Sequence, residues 1–358
     1  MDKQLNQKGM TLLGPVTLLL SLVITALLLC NKMLLSAYAI KTVSLFADKT
    51  EDLAHNRLNR LRAALLNTEN TIAIVADGQR VIGEQRVEIN DMSLPLLSLE
   101  GQARMHNSER TIVESVIKSP LLLNIPSSPL SISTFLPRDA KIELALPEPL
   151  VASGKFFSLW SAKSVSTETN QQVSCIWDDF IQGECQLWPL SSSAHPGNDF
   201  FIADTQFPSD LIRFLFGVET ASLGLIENYS ATLIENCHAL NEGSSGLFVV
   251  STDCTVAALS EVGTVTNPVL VIAKNNTLKL GSDVVFHGLY VGLCLDSAIS
   301  YDIIMHSSAF IDGALMTNCA VSSQSSIRVS YNPSLLTALQ GIAKLQQLHR
   351  IPGSWRDF

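Results

Sequence analysis

Phe286-His287-Gly288-Leu289-Tyr290 and Ile311-Asp312-Gly313-Ala314-Leu315 present one unit twice, twenty-five residues apart. In each copy an apolar residue, a polar residue and Gly precede a second apolar stretch. A strand of this kind buries alternate side chains, and the Gly lets the backbone turn a corner. Stacked copies then share a core that no single copy could bury alone. Around the pair, short apolar stretches at 247–250, 269–272 and 327–331 are punctuated by Gly, Asn, Ser or Asp. Such spacing fits a β-sandwich or a parallel β-solenoid, and the repeated unit favours the solenoid. Residues 246–333 are therefore expected to form a short parallel β-solenoid, followed by a C-terminal helix and tail over 334–358.

At the other end of the 358-residue chain, residues 10–30 read MTLLGPVTLLLSLVITALLLC and carry no charge. A bilayer core of about 30 Å is crossed by ~20 apolar residues. Lys3 and Lys8 precede the run, so an N-in, C-out orientation is expected, with Lys32 and Lys41 weakening the asymmetry. A cleaved secretory signal is the rival reading, and its apolar core would be shorter. Residues 31–70 continue as a stalk helix. Ala54, Leu58, Leu61 and Leu65 recur at helical spacing, and no Pro or Gly interrupts 41–75. Residues 71–245 form a mixed middle region, with β-favourable alternation at 75–87, 110–117 and 141–146. The Pro- and Ser-rich stretch 119–137 reads as extended chain, 191–198 as an exposed loop, and 207–217 as a short helix closed by Gly217. The whole is expected to be α+β.

Seven cysteines divide into Cys30, inside the apolar run, and six beyond it. The six fall into sequence-local pairs: Cys175 with Cys185, Cys237 with Cys254, and Cys294 with Cys319. An even number suits an oxidising, extracytoplasmic location, although six cysteines permit fifteen pairings and buried free thiols are an alternative. A zinc site would call for paired short spacings or histidines at fixed distance, and only Cys237-His238 comes near that pattern.

A formal net charge of -9 and the lack of a basic, aromatic-interleaved stripe argue against nucleic acid. Asp253, Asp283, Asp296, Asp302, Asp312, His287 and His306 are scattered singly. Glycosidic chemistry wants paired carboxylates, and sugar acyl transfer wants a histidine base. No nucleophile elbow, phosphate loop or nucleotide fingerprint is present. His287 reads as a satisfied strand histidine and Asp312-Gly313 as turn chemistry. Calcium at 296–302 is a weak alternative. No enzymatic activity, cofactor, metal or small-molecule substrate is expected.

Lys8-Gly9-Met10-Thr11-Leu12-Leu13 resembles the processing junction of type IV prepilins, with cleavage implied between Gly9 and Met10. Those pilins carry Glu fifth in the mature chain, where this sequence has Gly14. The departure puts processing and entry into a filament in doubt, and fits PilX-like pilus-assembly proteins better. Gly246-Leu247-Phe248-Val249-Val250-Ser251-Thr252-Asp253-Cys254 resembles the opening of their C-terminal domain. Tyr331-Asn332-Pro333 and the end Gly353-Ser354-Trp355-Arg356-Asp357-Phe358 resemble its close. The resemblance covers the N-terminal forty residues and roughly 207 onward. It implies a non-enzymatic assembly component, minor pilin-like, in the bacterial inner membrane. Its partners would be membrane lipid and other pilins or pilus-assembly proteins. A surface adhesin binding host or glycan, and a carbohydrate-active solenoid enzyme, are the alternatives.

Overall fold

A computed structural model describes residues 10–67, 78–89, 92–147, 157–165, 170–295 and 300–357. The leader 1–9 with Gly9, and Asp296, lie outside the described residues. Two compact units emerge, one from residues 1–65, 70–117 and 349–358, the other chiefly from 118–348.

The first unit starts with α1, Met10–Asn67, a single helix of 58 residues and so about 87 Å long. It is the one described helix long and apolar enough to cross a membrane. Its side chains from Gly14 to Lys41 are exposed, Leu18, Leu22 and Leu29 among them. Beyond that, one stripe disappears from solvent: Thr50, Ala54, Leu58, Leu61 and Leu65 are all fully buried. Spacings of four and three place them on one face, as the periodicity predicts. They pack on a meander of β1 (Gln79–Ile89), β2 (Met92–Met105) and β3 (Ser108–Pro120), all antiparallel. His106-Asn107 makes the β2–β3 turn, with His106 at φ 54°. Strand β2 was missing from the expected alternations. Its buried Leu97, Leu99 and Ala103 share a face with Gly101. A Cβ on Gly101 would lie 2.6 Å from the Ala54 carbonyl oxygen, so helix and sheet meet there at backbone contact.

One buried charge fastens this arrangement. Glu114, on β3, is 1% exposed. Arg62 of α1 grips both its carboxylate oxygens, and Arg350 Nε donates to Oε2 at 3.1 Å. The chain's last strand pairs antiparallel on β3, with Arg356 opposite Val113.

The second unit is built from parallel ladders. Its first strands are β4 (Leu130–Ile132), β5 (Lys141–Leu146), β6 (Leu159–Ser161) and β7 (Gln172–Ile176). Helix α2 (Trp177–Gln182), β8 (Ser191–Ser192), β9 (Phe200–Phe201), α3 (Leu211–Phe216) and α4 (Leu223–Tyr229) follow. Next come β10 (Ala231–Ile234), β11 (Gly246–Val250), β12 (Cys254–Val256), β13 (Glu261–Val262), β14 (Val269–Lys274) and β15 (Leu278–Leu280). The series closes with β16 (Val285–Leu293), β17 (Ser300–Tyr301), β18 (Ile303–Met305), β19 (Phe310–Thr317), β20 (Ala320–Val321) and β21 (Ser326–Tyr331), then α5 (Pro333–Gly341). One ladder runs β10, β11, β14, β16, β19, β4, β6, β9, every neighbour parallel. A second runs β12, β15, β18, β21, β5, β7, also parallel.

Both ladders cross the expected boundary at 245/246. Strands β4 and β5, from the middle region, pair directly with β19 and β21, and β6 and β7 stack on them in turn, so the two regions are one structure. The repeated Gly falls where the reading placed it. Gly288 pairs with Gly313, and a Cβ on either would come within 2.0 Å of a neighbouring strand's carbonyl oxygen. Strand β14 explains the unbroken run Val269-Leu270-Val271-Ile272. Val269 and Val271 join an inner core with Ile311, Leu315 and Leu130. Leu270 and Ile272 join an outer one with Leu211, Leu215, Leu335 and Leu339 from α3 and α5. A strand buried on both faces has no reason to alternate.

Three local expectations change. Of the helix and tail expected over 334–358, helix α5 takes up only the part to Gly341, because Ile342 takes an extended ψ of 129°. Ser191, Ser192 and Ser193 are buried, not part of an exposed loop. Asp312-Gly313 sits within β19, not in a turn. The 207–217 helix does form: Asp210 Oδ1 accepts the Arg213 N–H, and Gly217 ends it at φ 72°.

Candidate functional site

The six cysteines beyond α1 pair as Cys175–Cys185, Cys237–Cys254 and Cys294–Cys319, while Cys30 is free and exposed. Cys294 and Cys319 follow the neighbouring strands β16 and β19, and Asn318 spans the same two strands. Its Oδ1 accepts the Cys294 N–H at 2.7 Å and its Nδ2 donates to the Cys294 carbonyl at 3.1 Å. Met10 is the first residue of α1.

Cys175–Cys185 closes a loop, and in it and just beyond it large apolar side chains stand in solvent. Ile181, Leu187, Trp188 and Leu190 are 52%, 68%, 66% and 42% exposed. The loop is anchored underneath by Arg328, which is 7% exposed. Its Nε donates to Glu143 Oε2 at 2.9 Å and its Nη2 to the Phe180 carbonyl at 3.0 Å, while Nη1 donates to the Ser307 carbonyl. The guanidinium also lies 4.5 Å from the Phe180 ring centroid. One planar fork thus ties β5, α2 and the β18–β19 turn together.

Beside this loop lies a cleft of about 420 Å³, lined by Pro147, by Trp177 of α2, by Asp312 of β19 and by residues 330–334 of the β21–α5 junction. Trp177 packs edge-on against Phe310, ring centroids 5.8 Å apart. His287 stands opposite Asp312 in the β16–β19 register, and its Nδ1 meets Asp312 Oδ2 at 2.9 Å. Asn332 Nδ2 donates to the same carboxylate at 3.1 and 3.3 Å, while its Oδ1 caps α5 through the Leu335 N–H. In the sequence His287 and Asp312 stand singly. Their separation equals the repeat length, and that was the signal that would have joined them. Ser330 and Ser334 have no side-chain hydrogen bond among the described residues.

A larger hollow of about 550 Å³ surrounds Asp210, Arg213, Phe214 and Thr220. Asp210 is already occupied there. Burial pushes its carboxyl upward, but donation from the Arg213 and Thr220 N–H groups and the Thr220 hydroxyl outweighs it and holds the group below the usual range. Among the described residues no cluster of three His, Cys, Asp or Glu side chains suits a metal ion.

No protein-family model, curated protein or solved structure matches the chain.

Proposed function

We propose that this protein is a membrane-anchored component of type IV pilus assembly, minor pilin-like, whose head makes protein contacts without catalysing a reaction. The observation that carries the reading is the division of α1. Its first thirty or so described residues expose leucine, isoleucine and valine, while Thr50 to Leu65 pack on an antiparallel meander. Lipid on the lower half and a head on the upper half is what the resemblance to prepilins implies. We propose further that the head's ladders form a short β-solenoid, oriented outside the cytoplasm of a bacterial inner membrane. Three disulfides suit that compartment, and Trp188, Leu187 and Ile181 give the head an apolar contact surface.

Deletion of the gene tests this. The expected result is loss of surface filaments or twitching, restored by the full chain and not by a version lacking residues 10–30. Normal filament number and motility in the deletion strain refute it.

A further inference from the structure

We propose that the cleft between Trp177 and the β21–α5 junction binds a neutral saccharide. This goes beyond the pilus reading and does not depend on it, and it departs from the expectation of no small-molecule ligand. The cleft has the size and mixed character of small-ligand sites, about 420 Å³ with few polar groups among apolar walls. Its composition narrows the class. Among the described residues no Lys or Arg lines it, so a phosphate or carboxylate ligand would meet no countercharge from them. Asp312 is the one carboxylate among the described lining residues, and a single carboxylate falls short of the oxygen ligands a hard metal cation takes.

What remains is a flat indole facing short hydroxyl and carboxylate groups. Trp177 is 36% exposed and braced by Phe310 behind it. Among the described residues nothing bonds the Ser330 and Ser334 hydroxyls, and Asp312 keeps acceptor capacity beyond the bonds it already receives. A pyranose matches both walls at once. Its C–H face lies on the aromatic ring, and its rim hydroxyls exchange hydrogen bonds with the serines and the carboxylate. The site is preorganised. Asn332 locks Asp312 while capping α5, and α2, which carries Trp177, is fixed by the Cys175–Cys185 bridge and Arg328. Groups held in place before binding lose little entropy when the ligand arrives.

The test uses the full chain in a detergent without a sugar headgroup. Tryptophan fluorescence and saturation-transfer NMR are followed against di- to tetrasaccharides of hexose and N-acetylhexosamine, up to about 10 mM, the weak end of affinities expected for so small a site. At least one series should bind saturably. Trp177→Ala should weaken it by about ten-fold or more, equivalent to losing one stacking contact. Ser334→Trp, on the exposed first turn of α5, should block it with the fold intact by circular dichroism. Trp188→Ala, outside the cleft, should leave it unchanged. No binding by any member overturns the proposal. So does binding that survives both cleft substitutions, or a cleft that takes only an apolar dye. Either result leaves the pilus reading standing, because filament formation is scored separately.

Discussion

Replacing Arg328 by Lys should unfasten the disulfide loop and the middle strands from the rest of the ladder. Arg328 spends Nε on Glu143, Nη2 on the Phe180 carbonyl and Nη1 on the Ser307 carbonyl, all while 7% exposed. A lysine can place one ammonium near Glu143 but cannot reach three acceptors set in a fork. Two bonds from a charged donor are lost, at about 1.5–3 kcal/mol each. The Glu143 contact is kept, so the lower end for the two lost bonds, about 3 kcal/mol, is the expected loss. In a unit of this size each kcal/mol moves the melting temperature by roughly 2–4 °C, giving a fall of roughly 6–12 °C. Thermal unfolding followed by circular dichroism reads the shift. Limited proteolysis should show new cleavage between residues 177 and 190. An Arg328→Lys protein that melts within about 2 °C of the parent, with that loop still resistant, would refute the reasoning.

Other substitutions probe the remaining joints. Gly101→Ala should cost about 1–3 kcal/mol by driving a methyl into the Ala54 carbonyl, read as faster amide exchange in the upper half of α1. Glu114→Gln should destabilise the first unit by about 3 kcal/mol, since two arginines lose their shared buried charge; a change under about 1 kcal/mol in denaturant unfolding would contradict it. Tyr290→Phe should stabilise by about 1 kcal/mol, because the Tyr290 hydroxyl is buried without a hydrogen-bond partner among the described residues. Burial pushes the Tyr331 phenol up to about 12, so its contribution is complete below the unfolded value near 10 and is lost as pH rises from there toward 12. Tyr331→Phe should flatten stability against pH across that window.

Much of the first unit was legible because its signals are local. The helical spacing of Ala54, Leu58, Leu61 and Leu65 named the buried stripe outright. The charge-free run 10–30 marked the exposed half of the helix. Strand β2 was missed because Ser93, Pro95 and Ser98 blur its alternation, and Gly101 reads as a breaker where it is in fact a place of close approach. Glu114 was illegible for a related reason. A glutamate inside a strand looks like a solvent-facing residue until a helix brings Arg62 down onto it.

The second unit was legible only as far as the chain order follows the spatial order. From β11 to β21 each strand of the ladders pairs with one about 18 to 25 residues along the chain, so the Gly-centred unit marked the stacking of β16 on β19. The next strand in space is β4, far upstream in sequence, and no periodicity connects Leu130 with Leu315. Its short apolar segment, set among prolines and serines, carries no strand signal of its own because β19 and β6 supply both of its edges. The same register that hides β4 exposes the cleft. Once Gly288 is placed against Gly313, the residue before each glycine must face its counterpart, which puts His287 on Asp312. The capping asparagine of α5 then closes on that carboxylate from the following strand. The polar wall of the cleft is thus a consequence of the repeat, whereas its aromatic wall comes from α2, which packs beside Phe310 only because the middle strands stack on β19 and β21.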